Sequence, residues 1–206
     1  MSAQPAQLTR YLTRDEEARF FRTLKAAAGS DTKQQRLARR DYCLHQLLRH
    51  TGIRVNALLH IRCADAHEAL RTNYLQRRHD KGGRDGLTYC NKRARRALRG
   101  LLANRRALGH AEWPEALLIT SRSGPSLTAK AVQEQMKTWC RRAGLGIAAT
   151  PHWWRHTYAI RVMETTTSND PRGVVQALLD HASIQSTLVY TRPTREQIEA
   201  AAEEAA

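Results

Sequence analysis

The stretch PHWWRHTYAIRVMETTTSNDPRGVVQALLDHASIQSTLVYTRP, residues 151–193, decides how the rest of the chain is interpreted. It places His152, Arg155, His181 and Tyr190 within one short segment of a strongly basic protein. Cationic and proton-donating side chains can hold a phosphate, and a phenol oxygen can attack phosphorus and become covalently joined to it. The segment therefore predicts chemistry on a phosphodiester, with Tyr190 as the attacking group.

Two helices are predicted at the start of this stretch. Pro151 suits the first turn of a helix, and His152 and Arg155, three residues apart, share one of its faces. The run VVQALLDH is amphipathic and predicts a helix that ends at His181, with Tyr190 nine residues later on a further short helix. A lone HxxR pair or a lone tyrosine is usually structural. Their occurrence together favours a shared site.

Composition narrows the class of partner. The chain has 206 residues, and 34 Lys and Arg against 19 Asp and Glu give a net charge of +15. A solvated surface is the simplest explanation of such an excess, but basicity spread along the whole chain favours a polyanion. The apolar runs are far shorter than the roughly 18 residues of a membrane span. The first residues lack the apolar stretch of a secretory signal. We therefore expect no membrane partner and a cytoplasmic location.

The cysteines predict neither a metal site nor a disulfide framework. Cys43, Cys63, Cys90 and Cys140 lie far apart, and no CxxC pair occurs. No cluster of carboxylates suggests another metal site. We expect four reduced thiols.

The N-terminal half predicts three successive helices. Thr13 followed by Glu16 is a capping-box pattern, and it precedes a helix with Phe20, Phe21 and Leu24 on its buried face. A second helix is predicted over residues 34–50, with Gly52 as its C-terminal stop. A third starts near Arg54. Because the helix dipole disfavours a cation in the first turn, Arg54 suggests a requirement other than helix stability.

Residues 67–91 predict a small sheet, in which LRTNYLQRRH and LTYC form strands around the turn DKGGRDG. Lys81 lies in this turn, where an exposed loop charge is the ordinary explanation. Alternatively, Lys81 is a proton donor held at the tip of a hairpin that reaches into a groove. A further short buried strand is predicted within LLITSRSGPS, residues 117–126.

Two basic helices are predicted over residues 92–103 and 128–143, with apolar faces that include Leu98, Leu101, Val132 and Met136. Their cations either face solvent or contact phosphates. The candidate DNA-binding residues are Arg84, Lys92, Arg93, Arg95, Arg96, Lys130, Lys137 and Arg141. The whole pattern predicts a mainly α domain with a small antiparallel β-sheet, in the α+β class.

Four motifs together resemble the catalytic domain of the tyrosine recombinases, the phage-integrase family. They are TGIRVNALLHIR at residues 51–62, KGG at 81–83, HWWRHTYA at 152–159 and LLDHASIQSTLVYTR at 178–192. Each motif alone is moderately specific for this family, and the four motifs in this order are strong evidence for the resemblance. The resemblance implies the fold of that catalytic domain over residues 8–195.

The resemblance also implies roles for individual residues. Arg54 and Arg155 would hold the non-bridging oxygens of the scissile phosphate, and Tyr190 would form a 3′-phosphotyrosyl link. Lys81 would protonate the departing 5′-oxygen. His152 would assist proton transfer, and His181 would orient the phosphate. The activity implied is site-specific recombination of double-stranded DNA without metal, other cofactor or ATP.

Assembly and location follow from the same resemblance. It implies other protomers in a synaptic complex, a tetramer on DNA, with accessory DNA-binding proteins as possible further partners. A bacterial protein associated with the nucleoid or a plasmid is expected. Residues 1–7 are expected to form a flexible arm. Residues 196–206 have helix-forming composition and are expected either to dock on a neighbouring protomer or to fray.

Three positions depart from the family pattern. Ala57 replaces an acidic residue that often follows the first arginine, and Asp180 replaces a glycine before His181. The segment TTTSNDPRG, residues 165–173, is longer than the usual turn. The match also begins within the first ten residues, so the chain resembles short single-domain members such as the invertases of fimbrial promoters.

Two other functions remain open at this point. A type IB topoisomerase uses similar chemistry without partner protomers or a strict site. A DNA-binding regulator would keep the fold and lose turnover. The intact set of six candidate catalytic residues favours an enzyme over a regulator.

Overall fold

The structure is a computed structural model, and it describes residues 11–29, 32–78, 85–124 and 127–179. Residues 11–158 of this part form one compact unit, and residues 159–179 belong to a second. The predicted domain limits, residues 8–195 with a flexible arm and a C-terminal tail, stay a prediction. So does the final helix end at His181, which lies outside the described residues.

Eight helices and two strands occur within the described ranges. Their order is α1 (Arg14–Ala27), α2 (Lys33–Thr51), α3 (Val55–Leu59), α4 (Cys63–Thr72), β1 (Tyr74–Arg77), β2 (Gly86–Tyr89), α5 (Lys92–Ala107), α6 (Ala129–Arg142), α7 (Pro151–Thr165) and α8 (Pro171–Leu179). The predicted α+β class, mainly helical with a small antiparallel sheet, is confirmed.

Local capping sets the ends of the first helices, and the Thr13 box and the Gly52 stop were predicted. Thr13 and Glu16 form a complete capping box at the start of α1. Thr32 and Gln35 form a second box at the start of α2. Gly52 ends α2 in the left-handed region at φ 63°, which glycine adopts without the steric cost of a Cβ. Each of these signals lies within a few residues of the helix end that it determines.

The core of the larger unit forms around α2. This helix packs against α1 on one side and α5 on another. Phe20 and Leu24 of α1 and Leu98 of α5 are fully buried, as their spacing predicted. Gly100 permits the close approach of α5, since a Cβ added there would lie 2.5 Å from the Cys43 sulfur.

The sheet is smaller than predicted, and residues 67–72 are a correction. They belong to α4, not to a strand. The segment CADAHEALRT contains good helix formers, and Asn73, at φ 69°, ends the helix in a left-handed cap. The strands are antiparallel, with Tyr74 opposite Tyr89 and Arg77 opposite Gly86.

The predicted strand within residues 117–126 is also wrong. Within its described part, residues 117–124, no strand forms, and Leu117 makes an isolated bridge with Arg62. Leu118 and Ile119 are nevertheless buried. The backbone amide of Leu118 donates to the Ile61 carbonyl at 2.8 Å, so this segment is bound to the link between α3 and α4.

The predicted core face of α6 and the predicted start of α7 are confirmed. Val132, Met136 and Trp139 of α6 are buried, and α7 begins at Pro151 as its sequence suggests. A buried polar contact fixes α6 against α2, because the Trp139 indole donates to Asp41 at 3.0 Å. Burial raises the pKa of the Asp41 carboxyl, against the lowering effect of the neighbouring Arg40 charge.

All four cysteines are free and buried. Desolvation raises the pKa of the Cys43 thiol to about 11 and that of Cys90 to about 12. Such thiols are poor nucleophiles near neutral pH, which agrees with the expectation of reduced structural cysteines. Among the residues described, no helix is long and apolar enough to span a membrane.

Candidate active site

Arg155 is held inside the larger unit. Helix α7 starts at Pro151, so Arg155 lies in its second turn. Only 3% of the Arg155 surface is exposed. Its Nη1 donates to the backbone carbonyl of Gly52 at 2.8 Å. A buried guanidinium requires such partners, because an unsatisfied buried charge is strongly disfavoured. The contact joins α7 to the end of α2.

Arg54 follows Gly52 by two residues. It is the N-cap of α3, at φ −69° and ψ 142°, and its side chain forms no capping hydrogen bond. The predicted helix start near Arg54 is therefore confirmed, although Arg54 precedes the first turn. Its side chain is half-buried. The glycine turn thus places Arg54 directly beside the carbonyl that holds Arg155.

His152 lies one turn before Arg155 on α7, and its side chain reaches solvent. Desolvation on its protein-facing side lowers its pKa, and the charges of Arg155 and Arg54 lower it further. The two arginines must therefore lie close enough to His152 to act on it electrostatically. A neutral imidazole can accept a proton. The ring also contacts His156 edge to face, with 4.5 Å between centroids.

Buried polar contacts determine where α7 starts. The Trp154 indole donates to Nδ1 of His45 in α2 at 3.0 Å, and Trp154 also packs edge-on against Phe20. The Thr157 hydroxyl accepts from the Leu12 backbone at 3.0 Å. Contacts with α1, α2 and Leu12, all distant in sequence, therefore orient the first half of α7, which carries His152 and Arg155.

The structure brings Arg54, His152 and Arg155 together within one unit. The other predicted catalytic residues, Lys81, His181 and Tyr190, lie outside the described residues, as does the predicted DNA-binding residue Arg84. Their roles stay predictions. Ala57 is fully buried in α3, so this position supplies no carboxylate to Arg54.

The two basic helices differ in their positions. α6 packs against α1 and α3, and α3 is the helix that starts at Arg54. α5 packs against α2 and α4. Exposed cations occur on both helices, at Lys92, Arg93, Arg96, Lys130 and Arg141, while Arg95 and Lys137 are half-buried. Lys137 forms an ion pair with Glu134 at 2.8 Å.

Two groups with structural contacts, the Gly52 carbonyl and Asp65, were not singled out from the sequence. The Gly52 carbonyl was predicted only as part of a helix stop. Asp65 is buried at the start of α4, where it binds Arg78 at 2.8 Å. The capping role of Asp65 could have been predicted, since a carboxylate at the third position of a helix is a common capping residue. Its pairing with Arg78 has no local signal in the sequence.

In the part of the chain that the structure describes, no group of three His, Cys, Asp or Glu side chains could hold a metal ion. Among the described residues, the predicted site contains the guanidinium groups of Arg54 and Arg155.

Comparisons with known proteins converge on one family. The model of the phage integrase family matches residues 10–197. The chain is 29% identical over 158 residues to tyrosine recombinase XerC of Chromobacterium violaceum, covering 77% of this chain and 50% of that protein. It is 34% identical over 187 residues to XerC of Azotobacter vinelandii, covering 85% and 57%. The chain thus spans about half the length of the curated relatives it matches.

A solved structure shares the fold. The XerH site-specific recombinase bound to a palindromic difH substrate, in a post-cleavage complex, superposes with a TM-score of 0.72 at 22% identity. The match covers 95% of this chain and 53% of that one. At this identity the likeness demonstrates the fold.

Proposed function

The chain belongs to the phage integrase family, and we propose that it breaks and rejoins double-stranded DNA through a covalent link to Tyr190. The observation that carries this proposal is the joint placement of Arg54, Arg155 and His152. Desolvation lowers the pKa of His152, and the charges of Arg155 and Arg54 lower it further. Such an arrangement suits a phosphate with developing negative charge, next to a group that can accept a proton.

The reaction follows from these groups and from the family pattern. The Tyr190 oxygen forms a bond to phosphorus while the bond from phosphorus to the 5′-oxygen breaks. Arg54 and Arg155 hold the non-bridging oxygens, and His181 orients the phosphate. A phenol has an ordinary pKa of about 10, so its proton needs an acceptor, and neutral His152 is suited to that role.

The departing 5′-oxygen has to gain a proton, whereas the attacking phenol has to lose one. Lys81 gives its proton to the departing 5′-oxygen, which leaves as a hydroxyl. A 5′-hydroxyl from another strand then attacks the 3′-phosphotyrosine, and the tyrosine recovers its proton. Because the broken bond is stored as a phosphodiester with tyrosine, strand exchange consumes no ATP. The arginines supply the charge stabilisation that a metal ion provides in other phosphoryl-transfer enzymes.

The DNA is proposed to lie along α6. This helix packs against α3, which starts after Arg54, and its cations Lys130 and Arg141 are exposed. Arg84 and the cations of α5 would add phosphate contacts. Since phosphate contacts release counterions, binding should weaken steeply as salt is raised. Other protomers, in a tetramer on DNA, and accessory DNA-binding proteins are the proposed partners.

A second candidate function is a DNA-binding regulator without turnover. It is favoured by one observation, the buried Ala57 where an acidic residue beside Arg54 is common in the family. A type IB topoisomerase is the third. It would relax supercoiled DNA as a lone protomer without a defined site.

A suicide-substrate assay tests the proposal. The protein is incubated with nicked duplexes tiled from the DNA that flanks its own gene, and covalent complexes are resolved on a denaturing gel. We expect an adduct with the wild-type protein and none with Tyr190→Phe. Binding of the same duplex, measured by titration, should survive this substitution because the tyrosine hydroxyl is not needed for phosphate contacts.

Each other outcome has a defined meaning. An adduct that persists in Tyr190→Phe would show that the nucleophile is another residue. Binding without an adduct on any duplex favours the regulator. Relaxation of a supercoiled plasmid that lacks the flanking sequence favours the topoisomerase.

A further inference from the structure

A buried hydrogen bond joins the middle of α2 to the first turn of α7. The Trp154 indole donates from Nε1 to Nδ1 of His45 at 3.0 Å, and both residues are fully buried. An indole nitrogen can only donate, so Nδ1 of His45 is the unprotonated nitrogen and Nε2 carries the proton. His45 is therefore a neutral acceptor. This agrees with the desolvation and the Arg40 charge that lower its pKa to about 3.

Stability alone does not account for a histidine at this position. Among the described residues, Nε2 of His45 is buried without a hydrogen-bond partner. A buried polar group without a partner lowers stability, and an apolar pair of similar shape in place of His45 and Trp154 would avoid that cost. What the polar pair adds is direction. A hydrogen bond weakens steeply away from its preferred distance and angle, so it fixes where the indole lies.

Aromatic packing holds the same indole on other sides. Trp154 contacts Phe20 edge to face, with 5.4 Å between ring centroids, and Phe21 at 5.2 Å. Both phenylalanines belong to α1. The His45 ring also contacts Phe20 edge to face, at 5.1 Å. A tryptophan side chain has only two rotatable bonds, so an indole held by α1 and α2 also restrains the α7 backbone.

The next residue of α7 has a second attachment, at the end of α2. Nη1 of Arg155 donates to the Gly52 carbonyl at 2.8 Å. Gly52 follows His45 by seven residues, which is about two helical turns, or about 10 Å along α2. Two consecutive side chains of α7 are thus bound at two separate points of one helix. A helix attached at a single point can still rotate about it, and a second point removes most of that freedom.

The orientation of α7 determines where the phosphate clamp, the pair Arg54 and Arg155, is aimed. Trp154 is buried, and His152, two residues earlier and about 200° around the helix, reaches solvent. The carbonyl that holds Arg155 belongs to Gly52, in the turn that leads to Arg54. A rotation of the start of α7, residues 151–158, would therefore move Arg155 and His152 relative to Arg54.

We propose that His45 is a positioning residue for the reaction, because the hydrogen bond that it accepts from Trp154 fixes the rotation of α7 at which Arg155 meets the phosphate held by Arg54. The inference rests on the proposed function, since it concerns the groups that stabilise the phosphate. His45 is fully buried, so it acts through Trp154 and not on the DNA. A displacement of about 1 Å at a catalytic group can slow a reaction about 10²-fold.

Two substitutions of His45 separate direction from packing. His45→Asn places an amide oxygen at the same number of bonds from the backbone as Nδ1, so it keeps an acceptor and leaves some volume unfilled. His45→Leu fills more of the space and offers no acceptor, so the Trp154 indole loses its partner. If His45 only supports the core, the leucine variant should perform at least as well as the asparagine variant. If His45 positions α7, the order is reversed.

The first measurement needs no DNA. Proton NMR follows the His152 imidazole against pH in the full-length variants. Desolvation and then the charges of Arg155 and Arg54 lower the pKa of His152, so a displaced α7 should raise it toward its ordinary value. We expect this rise in His45→Leu and a wild-type pKa in His45→Asn. The control is Gly100→Ala, which disturbs the packing of α5 on α2 and should leave the His152 pKa unchanged. An unchanged pKa in His45→Leu, or an equal rise in all three variants, would overturn the proposal.

The second measurement tests the chemistry. Single-turnover cleavage is followed at saturating protein on the duplex that gives the Tyr190 adduct, and binding of the same duplex is titrated separately. We expect His45→Leu to cleave about 10- to 100-fold more slowly than His45→Asn, with similar affinity for the duplex. Trp154→Phe removes the donor, keeps an aromatic ring and should show the same loss, so it takes the place of His45→Leu if that variant does not fold. Cleavage by His45→Leu as fast as by His45→Asn overturns the proposal.

A double variant and the Gly100→Ala control decide the remaining outcomes. Because both residues act through one bond, His45→Leu should slow cleavage little further in the Trp154→Phe background. Multiplied losses would mean that His45 acts by another route, which overturns the proposal. A comparable loss in folded Gly100→Ala would assign the defect to stability and overturn it as well. If the wild-type protein forms no adduct on any duplex, the proposed function fails, and the NMR titration alone decides whether His45 orients α7.

Discussion

Arg155 of α7 donates its Nη1 hydrogen to the backbone carbonyl of Gly52 at 2.8 Å, across 103 positions of sequence. This contact joins the HWWRHTYA motif, residues 152–159, to the turn that precedes Arg54. It explains how two guanidinium groups from distant segments come to act on the same histidine. The geometry of Gly52 is therefore expected to affect chemistry as well as stability.

Gly52→Ala should lower both stability and cleavage. Gly52 has φ 63°, where a Cβ costs roughly 1–2 kcal/mol, and any shift of its carbonyl displaces Arg155. The matched control is Gly109→Ala, at φ 79° with open space around it. Urea denaturation should show similar losses for both, while the adduct yield should fall only in Gly52→Ala. Equal yields in the two variants would contradict a role for the Gly52 carbonyl.

Arg155→Lys should slow cleavage by about 10²–10³-fold, the cost of losing one well-placed donor to a transition-state oxyanion. A lysine keeps the charge but cannot reproduce the planar fork that contacts both Gly52 and a phosphate oxygen. Single-turnover adduct formation measures the effect. Arg71→Lys, at an exposed position on α4, is the control and should cleave normally. A wild-type rate in Arg155→Lys would remove Arg155 from the phosphate clamp.

Arg54→Gln should raise the pKa of His152, because the Arg54 charge is one of the causes that lower it. Proton NMR of the imidazole against pH measures the shift directly, with Arg71→Gln as the control. The pH dependence of cleavage should change as well. If neutral His152 accepts the tyrosine proton, a higher pKa moves the acid limb of the pH–rate profile to higher pH. A His152 pKa unchanged by Arg54→Gln would contradict the proximity of these side chains.

His45 should make the fold sensitive to acid. It is fully buried, and desolvation followed by the Arg40 charge lowers its pKa from 6.5 to about 3. Below pH 6.5 the unfolded chain binds a proton that the folded chain excludes, so stability falls with pH down to about 3. Between pH 7 and 5 this amounts to about 2 kcal/mol.

Urea denaturation at these two pH values tests the His45 effect. His45→Gln keeps a hydrogen-bond acceptor for the Trp154 indole and cannot titrate, so its stability should change less between pH 7 and 5. His67→Gln, with a side chain 55% exposed, is the control. A pH dependence in His45→Gln equal to that of the wild type would mean that another group is responsible.

Gly100→Ala should destabilise the packing of α5 on α2 by about 1–3 kcal/mol. The added Cβ would lie 2.5 Å from the Cys43 sulfur, which requires that the helices move apart. Cys43→Ala removes the sulfur, so the double variant should regain part of the loss. Thermal or urea denaturation of the wild type, the two single variants and the double variant measures the coupling between Gly100 and Cys43. Additive losses would show that the contact with Cys43 is not the cause.

Much of the local structure could be predicted because its causes lie within a few residues. The Thr13 capping box, the Gly52 stop and the buried face of α6 each depend on neighbouring side chains. The prediction failed at residues 67–72, where the pattern of strand, glycine turn and strand suggested a longer hairpin. Helix formers in α4 and the Asn73 cap outweighed that pattern.

The sequence by itself determined the family, the α+β class and which residue types carry the proposed chemistry, because motif order and hydrophobic period are properties of the linear chain. Only the tertiary structure decided that Arg155 is held by the Gly52 carbonyl and that Asp65 binds Arg78. Neither partner can be inferred from spacing, since a buried charge is satisfied by whichever group the folded core brings within hydrogen-bond distance.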